Sequence, residues 1–337
     1  MNTSAPEYSN GIWLSYFSKI VCGGTLFLIF VGSLVTSTGS GLSVPDWPLS
    51  YGTLFPPMVG GVFYEHSHRM VASVLGFSML CLAIWLAKVE KRRWVKNLGF
   101  VALGVVICQG ILGGITVLFF LPKPVSILHG ILAQTFFILT IIIAYSQSKE
   151  RFHRQINDPT TVTAGFLRAL LTIFVLIYFQ LIFGAVMRHT GSGLAIPDFP
   201  TMGGELWPRF DERMLVNINW WRFEANLPSV TLPQVVVHFW HRLWAGLILI
   251  WAGILTYRSW CYSGHESRVS KTIFILDAIL LVQIGLGIVT VFSQKFYMIT
   301  SWHVTTGALT LGYSAFLLLR FSPLSLRKFR QLILNLK

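Results

Sequence analysis

The stretch VSILHGILAQTFFILTIIIAY, residues 125–145, runs for 21 residues without a charged side chain. As a helix rising 1.5 Å per residue it covers about 31 Å, the thickness of a bilayer's hydrocarbon core. A transmembrane strand needs only about 9–11 residues and alternates its faces, whereas this run is apolar on all sides, so it predicts a membrane-crossing helix. Seven comparable runs, at residues 17–36, 66–87, 98–120, 166–187, 235–257, 272–292 and 300–319, extend the reading to the whole chain. The expected fold is all-α, a polytopic membrane protein with eight transmembrane helices.

Composition agrees. The 337 residues are 54% hydrophobic and 12% charged, half the roughly 25% charge of a soluble protein, with a mean hydropathy of +0.64. The net charge of +13 reads as a topology signal, because no basic stripe on a soluble domain is present to bind nucleic acid. Basic residues gather between spans two and three (Lys88, Lys91, Arg92, Arg93, Lys96), four and five (Lys149, Arg151, Arg154, Arg168), six and seven (Arg258, Arg268, Lys271), and after Arg320. The loop between spans one and two has no Lys or Arg, and Lys123 and Lys295 stand alone in theirs. The positive-inside rule then puts both termini in the cytoplasm and the longest loop, residues 188–234, outside, with length enough for a small cap. Polar residues without a basic cluster precede span one, which reads as a retained helix. Cys22, Cys81, Cys108 and Cys261 lack the spacing of a zinc site, and no structural disulfide is expected.

An internal repeat divides the chain. Thr38-Gly-Ser-Gly-Leu-Ser-Val-Pro-Asp-Trp-Pro48 recurs as Thr190-Gly-Ser-Gly-Leu-Ala-Ile-Pro-Asp-Phe-Pro200, with eight identities in eleven positions. His68-Arg69 then matches His241-Arg242, Gln109 matches Gln283, Thr116-Val117 matches Thr290-Val291, and His129 matches His303. The offset grows from 152 to 173 or 174 residues, the extra length of the long outer loop. Two pseudo-symmetric four-helix bundles are expected, at residues 1–145 and 166–337, joined by a cytoplasmic linker at 146–165. Four helices per unit is an even number, so the halves are related by an axis along the membrane normal. The duplicated Gly and Pro positions read first as shared scaffold, where the chain turns tightly or leaves helix.

His68, His129, His241 and His303 fall at one depth, just inside the outer ends of spans two, four, six and eight. Ionisable groups in hydrocarbon are costly and mark function. Two symmetry-related histidine pairs match the demand of two haem irons, each held by two axial imidazoles between facing helices. Arg69 and Arg242 follow a proposed ligand and are suited either to haem propionates or to salt bridges with Asp46 and Asp198. Glu65 stands three residues before His68, on the same helix face, where the second half has His238. A carboxylate there can accept a proton or stabilise a cation, or serve as a charge favoured at a helix start. Gln109, Gln134, Gln283 and Asp277 are expected to make helix-to-helix hydrogen bonds. His66 is expected at the membrane surface, and His153, His189 and His265 in or beside solvated loops.

The run Tyr64-Glu65-His66-Ser67-His68-Arg69, the duplicated Pro-Asp loop, the run His129-Gly130-Ile131-Leu132-Ala133-Gln134 and Phe239-Trp240-His241-Arg242 together resemble the haem A synthase family over essentially the whole chain. The resemblance implies a multi-pass enzyme of the plasma (inner) membrane that oxidises the C8 methyl of haem O to a formyl group by successive hydroxylation, giving haem A for terminal oxidases. It also implies roles. His68 and His129, with Arg69, would hold the substrate haem in the N-terminal half, and Glu65 would act in catalysis. His241 and His303, with Arg242, would hold a cofactor haem b in the C-terminal half. Implied partners are haem O and haem A, the lipid bilayer, a haem O-forming synthase and an electron donor or acceptor. Many bacterial members carry a cysteine pair in the first outer loop; this loop has none, so thiol-based electron input does not carry over to it. Two other classes use the same histidines. A di-haem cytochrome b would only pass electrons and needs no carboxylate in one half alone, and a haem transporter would release its haem unaltered.

Overall fold

A computed structural model describes residues 11–156, 162–263 and 268–323. Eight of its helices are long and apolar enough to cross a membrane. In the first half these are α1 (Ile12–Ser37), α2 (Gly61–Val89), α3 (Arg93–Leu118) and α4 (Lys123–Ser146). A short helix, α5 (Lys149–Ile156), opens the linker. The second half has α6 (Ala164–His189), the cap helix α7 (Glu212–Glu224), α8 (Leu232–Ser263), α9 (Arg268–Phe292) and α10 (Tyr297–Phe321). Most expected spans lie inside longer helices. α2 begins five residues before its expected span and α8 runs six residues past its own, because helical hydrogen bonding continues past the point where the apolar run ends. His265, the side chains of His153, Arg154 and Arg268, and the basic residues beyond 323 lie outside what is described.

α1 packs on α2 and α4, α2 on α3, and α3 on α4, closing one ring of four. α6 packs on α8 and α10, and α9 on both α8 and α10, closing a second. Each ring has its own core: Leu75, Met79, Leu82, Leu86, Val95 and Ile143 in the first, and Leu170, Ile173, Leu255, Ile273, Leu276 and Leu311 in the second. The rings meet along α1, α4, α6 and α10, where Ile29, Phe137 and Ala308 are buried together. Lipid is as apolar as leucine, so contact there depends on close van der Waals fit. Gly312 supplies it: a Cβ at that position would lie 2.6 Å from the Phe137 ring. The Thr135 and Tyr178 hydroxyls add a 2.7 Å hydrogen bond between α4 and α6.

The long loop forms the expected cap. Asp211 caps α7 by accepting the Met214 amide at 2.8 Å, satisfying a donor that the helix start leaves unpaired. Met214 and Ile218, one turn apart, are buried with Ala195, Ile196, Val230, Val235 and Phe239. This sets the cap on the first turns of α8 and on the second Pro-Asp loop.

Candidate functional site

His68, His129, His241 and His303 lie six to nine residues from the first residues of α2, α4, α8 and α10, about 9–14 Å along each helix. All four are at the end of the bundle that carries the two Pro-Asp loops. The histidines associate as the repeat suggests: His68 is within electrostatic reach of His129, and His241 of His303. Each lies deep in the protein yet keeps part of its surface accessible, so each lines a cleft within the bundle.

Every imidazole rests against a glycine of a neighbouring helix. A Cβ at Gly32 would lie 2.9 Å from His68 Cε1 and one at Gly287 would lie 3.0 Å from His303 Cε1. At Gly184 it would be 3.4 Å from His241 Cε1, and at Gly113 3.6 Å from His129 Cε1. A missing side chain thus lets the Cε1 corner of each ring come up against the neighbouring helix, which restricts its orientation. Gly32 and Gly184 are 152 residues apart, and Gly113 and Gly287 are 174 apart. These are the offsets of the flanking repeat segments, so the seats were readable from the pairing of the halves.

The Nδ1 atoms of His68, His129 and His241 are buried without a protein partner. His303 Nδ1 lies 3.2 Å from the Gln283 carbonyl oxygen. Gln109 Nε2 donates to the His129 carbonyl at 3.0 Å, as expected for a helix-to-helix bond, and Thr256 donates to Asp277 at 2.5 Å. Gln134 makes no such bond through its Oε1, which is buried without a partner. Gln180, which sequence reasoning missed, donates to the His241 carbonyl at 3.1 Å. Gln180 Nε2 also lies 3.4 Å from His241 Nε2. Two pairs of buried imidazoles, three of whose Nδ1 atoms the protein leaves unmatched, suit bis-histidine ligation of haem iron in donor type and number.

The Pro-Asp loops roof both clefts, with the same contacts in each half. Arg69 Nη1 donates to the Asp46 and Leu49 carbonyls at 2.7 and 2.8 Å, and its Nη2 to the Val44 carbonyl at 3.2 Å. Arg242 donates likewise to the Asp198, Thr201 and Ile196 carbonyls at 2.7, 3.3 and 2.9 Å. Val44 and Ile196 are fully buried under their loops. The salt bridges considered with Asp46 and Asp198 are not formed. The two carboxylates instead accept loop amides, those of Tyr51 and Gly52 at 2.7 and 2.8 Å and those of Gly203 and Gly204 at 2.8 and 2.9 Å. The Gly52 amide chiefly holds the Asp46 carboxyl below its ordinary value, with help from Tyr51 and the Arg69 charge. At Asp198 burial pushes upward, and the Gly204 and Gly203 amides outweigh it.

The residue one turn before each clasping arginine differs between the halves. Glu65 is 3% exposed; its Oε2 accepts the Val44 amide at 2.8 Å and its Oε1 meets Arg69 Nη2 at 2.7 Å. In the second half His238 takes that place, 3.1 Å from the Ile196 amide and 3.0 Å from Arg242 Nε. His66 is buried rather than superficial, bonded through Nδ1 to the Ser50 hydroxyl at 2.8 Å. The start of α2 extends under the roof, so a polar residue there is covered by loop instead of water. His189 is the last residue of α6 and is enclosed beside Arg188, within electrostatic reach of His129, not a solvated loop residue.

A family profile described as COX15-CtaA, cytochrome oxidase assembly protein, matches residues 15–315. The chain is 30% identical over 291 residues to a protein named Heme A synthase from Alkalihalophilus pseudofirmus, covering 84% of this chain and 88% of the relative. It is 29% identical over 301 residues to one of the same name from Halalkalibacterium halodurans, covering 86% and 91%. A third, from Lysinibacillus sphaericus, is 28% identical over 314 residues, covering 91% and 94%. With the family match spanning both rings and all four histidines, the chain belongs to the COX15-CtaA family of cytochrome oxidase assembly proteins.

Proposed function

We propose that this protein is a haem A synthase that takes haem O in the cleft between His68 and His129 and keeps a haem b between His241 and His303. The single observation that carries the division of labour is the exchange of Glu65 for His238 inside otherwise matching contacts. A pure electron carrier has no use for a carboxylate in one half alone.

When bound, haem iron supplies the redox chemistry by which a substrate methyl is oxidised. The chain's part is to hold and to position. Glycine seats orient the imidazoles, so ligand geometry is set before haem arrives. Arg69 and Arg242 hold the loops over the clefts and would supply positive charge to haem carboxylates. Glu65, one helical turn from His68, presents an oxygen acceptor beside the substrate cleft, where a proton or a developing positive charge is handled. The roof limits water above it. The basic segments face the cytoplasm in this reading, with both termini inside and the Pro-Asp loops and cap outside.

Mass spectrometry of haems extracted from the purified protein, made with and without a supply of haem O, tests the proposal. Haem A or a hydroxylated haem O should appear only with the supply. Two unmodified haems b in stable stoichiometry would favour an electron carrier and overturn the enzyme reading.

A further inference from the structure

At the Pro-Asp end of the second ring three cations gather from three separate segments. Arg188 comes from the last turn of α6, Arg222 from the cap helix, and Lys295 from the turn between α9 and α10. Lys295 is within electrostatic reach of both arginines, and half-burial followed by the Arg222 and Arg188 charges holds its ammonium below the ordinary lysine value. Among the described residues none of the three has a carboxylate within salt-bridge distance. Mutually repelling charges drawn out of water need a counter-charge.

Arg188 is the best placed. It lies deep in the protein at the seam between the rings. Its Nη2 donates to the Ser33 carbonyl and the Ser37 hydroxyl of α1 at 2.6 and 2.9 Å. Ser37 is tied in turn to Ser301 of α10 at 3.2 Å. Those contacts use one nitrogen; Nε and Nη1 have no protein partner and keep accessible surface. Arg188 is also within electrostatic reach of His303. Arg222 is fixed by the Pro228 carbonyl at 2.8 Å and by the Leu194 carbonyl, and the Lys295 stem lies 3.5 Å from the Cβ position of Gly193. The repeat partner of Arg188 is Thr36, so the feature belongs to one half only.

We infer that Arg188 and Lys295, with Arg222 behind them, form a carboxylate-binding site that takes a propionate of the haem held by His241 and His303. The inference rests on the haem b assignment. The site is built on the same helix end that ties α6 to α1, so it links the cofactor's carboxylate to the seam between the rings. Its charge stabilises the electron-rich ferrous state of that haem.

The test is potentiometric titration of the purified protein, with resonance Raman of the propionate bending mode, on wild type, Arg188→Gln, Arg188→Lys and Lys295→Gln. The expected result is a shift of the haem b midpoint to lower potential and a changed propionate band in Arg188→Gln, a smaller shift in Lys295→Gln, and near wild-type behaviour in Arg188→Lys. Loss of haem b from Arg188→Gln with retention in Arg188→Lys also supports the site. An unchanged midpoint and band in folded Arg188→Gln and Lys295→Gln overturn it, as does a lowered melting temperature alone, which would make Arg188 only a tie between α6 and α1. Absence of a bis-histidine haem b spectrum from wild type overturns the haem b assignment instead, before any variant is read.

Discussion

Glu65 and Arg69 meet at 2.7 Å across one turn of α2, and the second oxygen of the same carboxylate accepts the Val44 amide of the roof. A group proposed for chemistry is therefore also part of the roof, and the two roles must be separated by experiment. Glu65→Gln retains shape and an acceptor for Val44 but removes the charge. Conversion is expected to fall by about 10²–10⁴, the usual contribution of a positioned acid or base, with haem O accumulating and the haem b spectrum unchanged. Normal haem A output from the folded variant would exclude a catalytic role.

The two histidine pairs should separate by readout. His241→Ala and His303→Ala are expected to abolish the low-spin haem b spectrum. His68→Ala and His129→Ala should leave that spectrum in place and stop conversion. Optical spectra and haem extraction on the four variants check this, and a wild-type spectrum with full haem A yield in all four would refute the ligand assignment.

Glycine seats give a sharper test, since they involve no ligand. Gly287→Ala brings a Cβ to 3.0 Å from the His303 ring, whereas Gly285, on the same helix, has nothing within 4 Å of its Cβ position. The first substitution should displace the ring and broaden or shift the haem b spectrum; the second should be silent. In the other half Gly32→Ala should impair conversion while Gly76→Ala, also in open space, should not. Equal behaviour within each pair would show that the contact does not orient the ring.

Acid should loosen the roof. The folded state holds the Asp46 and Asp198 carboxyls below their ordinary value. Their contribution is therefore complete above the unfolded carboxylate value of about 3.9 and is lost as pH falls through the lower folded value. Protection against hydrogen exchange at the Tyr51, Gly52, Gly203 and Gly204 amides, taken relative to the intrinsic rate at each pH, should be high at neutral pH and fall below about pH 4. Asp46→Asn should speed exchange at Tyr51 and Gly52 already at neutral pH. Unchanged protection there would mean the charge contributes nothing.

Much of this architecture was legible because a bilayer imposes a length and because the chain repeats. Hydropathy marked all eight spans, and the offsets 173 and 174 matched each histidine of the first half to one of the second. Hydropathy is silent in the interfacial layer, which is why the start of α2 at Gly61 escaped it and His66 was placed at the surface. Arg69 and Arg242 showed a charge but not its partner, since a guanidinium serves carbonyl oxygens as well as carboxylates. Arg188, Arg222 and Lys295 lie far apart in sequence and none falls inside an expected span, so no local pattern announced their meeting. Gln180 has Leu28 as its repeat partner, and comparison of the halves could not flag it.

His68 and Arg69 are consecutive, as are His241 and Arg242, so one proposed iron ligand of each pair shares a peptide bond with the residue that clasps the loop above it. Displacement of the imidazole drags the clasp, and strain on the loop returns to the imidazole by the same link. A change in the roof loop is thereby transmitted to the imidazole. Substitutions in residues 44–50 or 196–202 should mimic the loss of a histidine.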